Sequence, residues 1–448
     1  ATGTGGRIRD TISIGQGGLV LSGFCGYYVG DTTKTSENSV EYPYKLPSET
    51  LILASNGCSD YGNKIGEPVL GGFTRDFRLN YPGERFEYVK PVLYSAGNGL
   101  ICDRTMYKDT PSLERVKKSK NTIFVIRVGG KAYRVGLGGG SCSSRNQCDK
   151  NSQQDLVAVQ RGNPEMENRL LRFVEKCSEL GLILSIHDQG SGGMANVTKE
   201  IVTPCGADIF LSEVSLGDSS MNDFEIWNSE YQEQCSILVS EKYLDACKII
   251  AKRENVPFDV VGELNSSGNI RVFSKDTLVK GEKVNGEIVL NFNLQDIEDL
   301  PKQNIKVPIE DAYREVLPLT SDVFDFVPVE PLEDLVSKVF TDISVGSKRY
   351  LVHKVDRSVG GLVAVQQCVG PWNMPLSDYS ISHLNFFGYN GIATSFGERP
   401  ILGLLNVNAM ITMSVGEMLT NLIFSGAEYN SIKCQGNWMW SVNHKNYN

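Results

Sequence analysis

Residues 128–168 decide the fold of this chain and have the sequence VGGKAYRVGLGGGSCSSRNQCDKNSQQDLVAVQRGNPEMEN. The apolar run at 122–126 predicts a buried strand before it, and the glycines at 136–140 predict a turn. Glycines at such a bend let backbone N–H groups approach a charged ligand closely, because no Cβ stands in the way. The segment 163–167 then opens a helical pattern whose apolar stripe extends to Cys177. A glycine run alone usually marks a turn, but similar glycine, carboxylate and amide clusters elsewhere in the chain favour a ligand site.

The composition limits the classes of function. The chain has 448 residues with 41% hydrophobic content, which is enough for two or three domains with a core each. Its net charge of -9 predicts no basic surface for nucleic acid. The 11 cysteines are odd in number and form no CxxC or CxxH spacing, which disfavours disulfide scaffolds and structural zinc. No uninterrupted apolar run approaches the ~20 residues of a membrane helix, and no signal-peptide pattern is present. We therefore expect a cytoplasmic protein that binds neither nucleic acid nor a membrane.

The order of strand, helix and turn patterns divides the chain into three predicted domains, 1–127, 128–300 and 301–448. Short strand-like runs, such as 51–54, alternate with glycine turns in the first domain, and the polar stretch 34–47 is an expected exposed loop. The second domain alternates strands and helices. The third resembles the first in outline, which indicates either a faint internal duplication or a chance similarity of turns. This order predicts an α/β fold, with mixed sheets in the outer domains and a helix-flanked sheet in the middle one.

Asp188 is the first candidate for metal chemistry. It ends a buried strand predicted at 182–186, and a glycine turn at 190–193 and a helix at 196–201 follow it. A carboxylate in this position suits a hard cation beside a phosphate, but a helix N-cap aspartate is an equally good interpretation. The neighbouring His187 is expected to form structural hydrogen bonds rather than to act in catalysis.

Glu417 and Asn421 are a second candidate, because a spacing of four places both side chains on one face of a helix. Their oxygens would fit one magnesium ion, although exposed polar pairs with this spacing are more common. The surrounding helix, 410–423, is largely apolar, so an unpartnered pair would be costly there and the metal interpretation gains weight. The methionines of the same helix are predicted to be core residues: Met410, Met413 and Met418.

Residues 230–232 follow the aromatic run 224–227 and have the sequence EYQ. An acid and an amide in this place either project into a cleft or form a polar strand edge. No Gly-x-x-x-x-Gly-Lys-Ser/Thr loop occurs in the sequence, which disfavours an ordinary P-loop kinase or ATPase.

Eight segments resemble a known family, and they follow one another in the family's order along nearly the whole chain. The segments are ATGTGGRIRD (1–10), YGNKIGEPVLGGF (61–73), AYRVGLGGGSCSSR (132–145), VQRGNPEMEN (159–168), IHDQGSGGMAN (186–196), EIWNSEYQEQ (225–234), CVGPWNMPLSD (368–378) and SVGEMLTNL (414–422). They are similar to the large, single-chain form of phosphoribosylformylglycinamidine synthase, in the aminoimidazole-ribonucleotide-synthetase-like superfamily.

The resemblance implies a fold and a reaction. The fold is a set of tandem domains in which mixed sheets pair into a barrel-like core around a helix-flanked α/β domain. The reaction is the ATP-dependent step of de novo purine synthesis that converts formylglycinamide ribonucleotide and glutamine to formylglycinamidine ribonucleotide. ATP is a substrate, Mg²⁺ is a cofactor, and a glutaminase domain of the same polypeptide supplies ammonia. The implied full-length protein is a monomeric pseudo-dimer.

The resemblance also implies roles for individual residues. The segment 1–10 is similar to a nucleotide-binding loop, in which Arg9 also contacts a substrate phosphate. The implied nucleotide-binding residues are Ala1, Thr2, Gly3, Thr4, Gly5, Gly6, Arg7, Ile8, Arg9, Asp10 and Ser377. The implied substrate-binding residues are Arg9, Gln160, Glu230, Tyr231 and Gln232. The implied magnesium ligands are Asp10, Asp188, Asp378, Glu417 and Asn421. The last three of these ligands belong to a second nucleotide site, which holds a structural ADP.

Parts of the family's pattern are absent from these residues. The catalytic histidine motif is expected upstream of Ala1, and a second glycine-loop domain and the glutaminase with its nucleophilic cysteine are expected downstream. We therefore expect a partial synthetase region, which makes no product by itself from ammonia, ATP and substrate.

Two other classes of protein remain open. Herpesvirus tegument proteins resemble this family but act as non-enzymatic interaction proteins with eroded sites, and the intact Asp10, Asp188, Glu417 and Asn421 argue against that class. Related synthetases for aminoimidazole ribonucleotide or selenophosphate are shorter and have one repeat, which the last domain disfavours. Magnesium-dependent retention of ADP would distinguish the synthase from a tegument-type protein, which should show none. A glutaminase domain in the full-length sequence would distinguish it from the shorter synthetases.

Overall fold

A computed structural model describes residues 1–35, 45–81, 84–144, 158, 162–275, 278–279, 282–283, 287–301, 330–352, 357–374 and 376–438. The chain forms two compact units. The first unit comprises Ala1–Cys25, Leu53–Val69 and Leu93–Lys302. The second unit comprises Gly26–Ile52, Leu70–Val92 and Gln303–Asn448.

The described residues form helices and strands in alternation. The helices are α1 (Thr2–Ile12), α2 (Pro47–Ile65), α3 (Leu113–Lys118), α4 (Gly139–Ser144), α5 (Pro164–Glu179), α6 (Gly193–Val202), α7 (Asp223–Asn228), α8 (Leu244–Glu254), α9 (Leu294–Glu298), α10 (Leu332–Thr341), α11 (Arg349–Val352) and α12 (Val407–Leu422). The strands are β1 (Leu19–Val29), β2 (Val69–Asp76), β3 (Arg78–Tyr81), β4 (Glu84–Glu87), β5 (Val92–Leu100), β6 (Ile123–Gly129), β7 (Ser185–Asp188), β8 (Ala207–Phe210), β9 (Gln234–Ser240), β10 (Phe258–Leu264), β11 (Asn269–Phe273), β12 (Leu278–Val279), β13 (Glu282–Lys283), β14 (Ile288–Asn293), β15 (Val363–Val365), β16 (Tyr379–His383) and β17 (Gly391–Ser395).

A seven-stranded mixed sheet organises the first unit, in the order β14-β11-β8-β10-β6-β9-β7. The pair β11–β8 is parallel, and the other pairs, such as β6–β9, are antiparallel. Successive side chains of β6 enter different core clusters, because neighbouring residues of a strand point to opposite faces. Ile123 and Val125 lie in one cluster, and Ile126 and Val128 lie in the other. Both faces of this sheet are therefore buried, as expected for a helix-flanked sheet.

Helix α5 covers one of these faces. Asn163 caps its N-terminus by accepting a hydrogen bond from the backbone N–H of Met166, and Pro164 occupies the first turn, where a missing N–H costs nothing. The predicted apolar stripe is confirmed, since Leu170 and Val174 are buried in the same cluster as Ile126.

Four local predictions need correction. The segment 1–10, expected as a loop, is almost entirely in α1, because Ile8 and Ile12 are fully buried and tertiary packing offsets its glycines. The run 51–54, expected as a strand, lies in α2, since a short apolar run has no distinct periodicity. The strand expected at 182–186 begins later, at Ser185, and β7 spans Ser185–Asp188; Leu182 and Ile183 are buried but lie before the strand. Met413, expected in the core, is 51% exposed.

The second unit contains a three-stranded antiparallel sheet in the order β15-β16-β17, and α12 contacts β17. Most of α12 is exposed, including the apolar Val415 and Ile411. By length and composition alone, the residues Val407–Ser425 could cross a membrane, with a mean hydropathy of 1.2. A single helix of this kind is weak evidence for a membrane span.

The predicted α/β class is confirmed by this mixture of helices and mixed sheets. The domain boundaries 1–127, 128–300 and 301–448 stay predictions, and the expected loop 34–47 lies largely outside the described residues.

Candidate active site

The first site is a cavity of about 480 Å³ in the first unit. Its lining consists of Thr2, Gly3, Gly6, Arg9, Asp10, Leu93, Asp188, Gly190 and Gln232. Helix α1 contributes Asp10, and the end of β7 contributes Asp188. The fold therefore brings together two carboxylates that are 178 positions apart in the sequence.

Asp10 and Asp188 form a pair of interacting carboxylates that both line the cavity. Partial burial and the neighbouring Asp188 carboxylate raise the pKa of Asp10 to about 6. Two carboxylates that repel each other in this way suit a divalent cation, which would remove the repulsion.

No group of three His, Cys, Asp or Glu side chains in the described ranges could hold a metal by itself. A cation at Asp10 and Asp188 would therefore need further oxygens from backbone, amide, phosphate or water. Mg²⁺ ordinarily keeps several waters and takes only one or two carboxylates, so the two side chains are sufficient donors from the protein.

Arg9 lies on the same helix, but its guanidinium is held by protein groups. The side chain is 2% exposed, and its Nη1 lies 2.9 Å from Oε2 of Glu167. Its Nη2 donates a hydrogen bond to Oε1 of Gln232. Tyr61 donates its hydroxyl to Glu167 at 2.6 Å, and Oε1 of Glu233 lies 3.0 Å from the same hydroxyl. We call these five side chains the Arg9 cluster.

Glu230 joins the two glycine turns of the first unit. Its buried carboxylate accepts hydrogen bonds from the backbone N–H of Gly140, at 3.1 Å, and of Gly192, at 3.0 Å. Gly193 follows with φ 59°, and a Cβ there would lie 2.4 Å from the carbonyl oxygen of Ser229, so only glycine fits this turn. Glu230 thus fixes the turns that follow β6 and β7.

Tyr231 lies in the core beside Glu230. Its side chain is 2% exposed and its ring lies 5.2 Å from the guanidinium carbon of Arg127, away from the residues that line the cavity. Its predicted substrate contact therefore stays a prediction without support from the position of the side chain.

His187 is held from both sides of its ring. Its Nε2 lies 2.7 Å from Nζ of Lys108, and its Nδ1 lies 3.6 Å from Glu200. Burial and the neighbouring Lys108 lower the pKa of His187, which favours a neutral ring that accepts from the lysine. These contacts agree with the structural role expected for this histidine.

The second site is a smaller cavity of about 150 Å³ within the second unit. Asp378 lies directly before β16, and Ser377 donates its hydroxyl to the backbone oxygen of Tyr379 at 2.6 Å. Glu417 and Asn421 lie one turn apart on α12. The structure thus brings four predicted residues to one cavity: Ser377, Asp378, Glu417 and Asn421.

The side chains of α12 in this cavity are already oriented by neighbours. Glu417 accepts a hydrogen bond from the backbone N–H of Glu398 at 3.0 Å and pairs with Arg399 at 3.0 Å. Asn421 donates its Nδ2 to the carbonyl of Phe396 at 3.0 Å, which turns its Oδ1 the other way. Both side chains are therefore held in a fixed orientation, and a cation bound by Glu417 would compete with Arg399 for its Oε1.

Sequence reasoning missed the buried acids that support both sites. Glu398 is buried beside Arg75, whose Nε donates to it at 2.6 Å, and burial raises the pKa of Glu398 against the effect of Arg75. Glu167 had a usable signal, because it lies on the same stripe of α5 as Leu170 and Val174. A carboxylate on an apolar stripe needs a partner, and the structure shows that this partner is Arg9, 158 positions away in the sequence.

Not every predicted residue lies at a cavity. Gln160 lies outside the described residues. Thr4, Gly5, Arg7 and Ile8 are buried within α1 and do not line the first cavity. The predicted roles of all the site residues stay predictions.

The family models and the curated relatives that match this chain agree with one another. Residues 124–275 match the family model of the C-terminal domain of AIR-synthase-related proteins, and residues 347–448 match the FGAR-AT PurM_N-like domain. The chain is 39% identical to phosphoribosylformylglycinamidine synthase of Dictyostelium discoideum, over 99% of this chain and 33% of that protein. It is also 39% identical to the synthase of Homo sapiens, over 98% of this chain and 34% of that protein.

Solved structures give the same fold. Thermotoga maritima PurL complexed with FGAR matches with a TM-score of 0.62 and 21% identity, over 95% of this chain and 58% of that chain. T. maritima PurL complexed with ATP matches with a TM-score of 0.58 and 20% identity, over 94% of this chain and 56% of that chain.

The two family models match two separate parts of the chain, and both describe domains of AIR-synthase-related proteins. The relatives above are phosphoribosylformylglycinamidine synthases, which confirms the resemblance seen in the sequence of this chain. The chain spans about a third of the length of the curated relatives it matches, for example 33% of the Dictyostelium protein.

Proposed function

We propose that this chain is the synthetase region of an ATP-dependent amidotransferase, a ligase that makes formylglycinamidine ribonucleotide in purine biosynthesis. The names of its relatives support this activity, as does the fold shared with a PurL that binds FGAR and ATP. The observation that carries the proposal is the first cavity, where the Asp10 and Asp188 carboxylates face Arg9 and Gln232.

This reaction requires that charge on the transferred phosphoryl group be neutralised and that water be excluded. An amide oxygen is a poor leaving group, so ATP phosphorylates it, and ammonia then displaces the phosphate from the iminophosphate. Bound Mg²⁺ would neutralise charge on the transferred phosphoryl group. Asp10 and Asp188 would hold that ion, and Glu230 would keep the backbone amides of the glycine turns in place. The positive end of α6 would lie beside the phosphate.

The second cavity is proposed to hold a structural ADP with its own Mg²⁺. Ser377 would lie beside the nucleotide, and Asp378, Glu417 and Asn421 would be the ligands of the ion. The position of all four at one cavity supports this proposal, as does the fixed orientation of Glu417 and Asn421.

The remaining predictions belong to the same proposal. They are a cytoplasmic location, a glutaminase domain in the same polypeptide, the domain limits 1–127, 128–300 and 301–448, and a barrel-like core formed by paired sheets. The substrate contacts of Arg9, Gln160, Glu230, Tyr231 and Gln232 are proposed with them.

The test is an assay of the full-length protein with formylglycinamide ribonucleotide, ATP, Mg²⁺ and either glutamine or ammonia. We expect product formation, and we expect Asp188→Asn to lower kcat/KM by about 100-fold, since loss of one group that stabilises phosphoryl charge has about this effect. The control is Asp208→Asn, which removes a strand carboxylate paired with Arg271 at a place outside the cavity. A wild-type protein that binds no nucleotide would instead support the non-enzymatic class.

A further inference from the structure

The Arg9 cluster joins four distant parts of the chain in the interior of the first unit. Glu167 is fully buried, and Tyr61 and Arg9 are almost so. Glu233 accepts a hydrogen bond from the backbone N–H of Asn163 at 3.0 Å and adopts a left-handed φ of 58°. A residue with a side chain rarely adopts this conformation, so the surrounding contacts must hold it in place.

The cluster contains more acid than base. One guanidinium faces two carboxylates, and Tyr61 supplies a single hydroxyl proton to them. Burial raises the pKa of Glu167 to about 7 and raises that of Glu233 as well, against the opposing effect of Arg9. Removing one partner from such a cluster leaves another charge uncompensated, so each member constrains the others.

The geometry sets the direction of the Gln232 amide. Arg9 offers a planar fork, with Nη1 on Glu167 and Nη2 on Oε1 of Gln232. Because Oε1 accepts from Arg9, the Nε2 donor of Gln232 is turned away from the guanidinium. Gln232 lines the first cavity, and its Nε2 is the donor that the hydrogen bond with Arg9 does not use.

We propose that Glu167 and Tyr61 are positioning residues, which fix the Arg9 fork so that Gln232 presents its Nε2 donor to an acceptor oxygen of the substrate. Neither residue lines the cavity itself, so Glu167 acts through Arg9, and Tyr61 acts through Glu167. This inference rests on the proposed function, because it concerns the substrate pocket of that reaction.

The packing of α1 supports this arrangement. A Cβ built on Gly5 would lie 2.7 Å from the hydroxyl of Tyr61 and 3.1 Å from Oε2 of Glu167. The helix therefore approaches the cluster at a distance that only glycine allows, which leaves Tyr61 and Glu167 little freedom to rotate. Positional precision of this kind is what substrate orientation requires.

The test uses the full-length protein with Glu167→Gln and Tyr61→Phe. We expect the KM for the ribonucleotide to rise about 10-fold in Glu167→Gln and about 3-fold in Tyr61→Phe. The KM for ATP should be unchanged, because the substitutions reach the cavity through Arg9 and Gln232 and leave the carboxylates of Asp10 and Asp188 in place. The matched control is Glu254→Gln, which breaks contacts to Arg172 and Arg253 outside the cavity lining and should leave both KM values unchanged. Glu167→Asp should restore part of the loss.

A second measurement separates this inference from the proposed function. A crystal structure of each variant should show the Arg9 guanidinium displaced by about 1 Å or more and the Gln232 amide reoriented. Unchanged KM values in an active protein, or an unmoved Arg9 fork in either crystal structure, would overturn the positioning role. An inactive wild type would overturn the proposed function, and the crystal structures would still decide the role of Glu167 and Tyr61.

Discussion

Glu167 shows how a single buried carboxylate can influence the whole first site. It accepts a hydrogen bond from the Tyr61 hydroxyl and forms an ion pair with Arg9, and these two contacts offset part of the cost of its burial. The balance is incomplete, since burial raises the pKa of Glu167 to about 7 from an ordinary value of 4.5. The folded protein therefore binds a proton that the unfolded chain releases at lower pH.

This proton makes stability depend on pH. A carboxyl whose pKa is raised on folding contributes stability that is fully present below pH 4.5 and is lost as the pH rises through about 7. The difference corresponds to roughly 3 kcal/mol, at about 1.4 kcal/mol for each pH unit. We expect the free energy of unfolding to depend less on pH in Glu167→Gln than in the wild type, measured by urea denaturation between about pH 5 and 8. An identical slope in wild type and variant would mean that the proton on Glu167 does not cause the loss.

Asp10 gives a second prediction at this scale. Its repulsion by Asp188 is relieved in Asp10→Asn, so the metal-free variant should be slightly more stable than wild type at about pH 8, by less than about 1 kcal/mol at such an exposed position. Mg²⁺ should raise the Tm of the wild type and have a smaller effect on the variant. Thermal unfolding with and without Mg²⁺ measures both, and an equal Mg²⁺ response in the two proteins would argue against metal binding at this pair.

At the scale of elements, periodic segments could be predicted from the sequence and α1 could not. The stripe of α5 and the alternation of β6 are properties of single segments, so their patterns identify them. The segment TGTGGRIRDTI has three glycines, which disfavour a helix by local preference. Its helical state comes from tertiary packing, which a local pattern does not contain.

The candidate sites divide in the same way. Asp188 could be proposed because it ends a strand just before a glycine turn, and Glu417 and Asn421 could be proposed because they share one face of a helix. The Arg9 cluster could not, since Tyr61, Glu167 and Glu233 come from α2, α5 and the segment before β9. Their meeting depends on long-range packing, and only the unexpected acid on the apolar stripe pointed toward it.

Helix α1 should therefore depend on its buried side chains. Ile12 is fully buried in the same hydrophobic cluster as Leu170 of α5, whereas Ile14, just beyond the helix, is 53% exposed. We expect Ile12→Ala to lower the free energy of unfolding by about 2–4 kcal/mol, and Ile14→Ala to lower it by less than about 0.5 kcal/mol. Denaturant unfolding of the two variants is the measurement. Equal losses would mean that α1 does not depend on this packing.

At the scale of the whole molecule, each unit contains a cavity lined by carboxylate and amide side chains, whose carboxylates supply oxygen atoms. In both units, a supporting acid is buried against an arginine that holds it in place: Glu167 with Arg9, and Glu398 with Arg75. The proposed roles of the two cavities differ, since the first would hold reactants and the second a structural ADP. The physical claim they share is that these oxygens hold nucleotide phosphates through a divalent metal.

A crystal structure of the full-length protein with Mn²⁺ and ADP tests that claim most directly, because manganese is located by its anomalous scattering. The account predicts a metal in the second cavity within about 2.5 Å of oxygens of Asp378, Glu417 and Asn421, with diphosphate oxygens completing its coordination. A metal in the first cavity between Asp10 and Asp188 is also expected at sufficient concentration. An ADP bound elsewhere, or a second cavity whose carboxylates point into solvent and hold no metal, would contradict it.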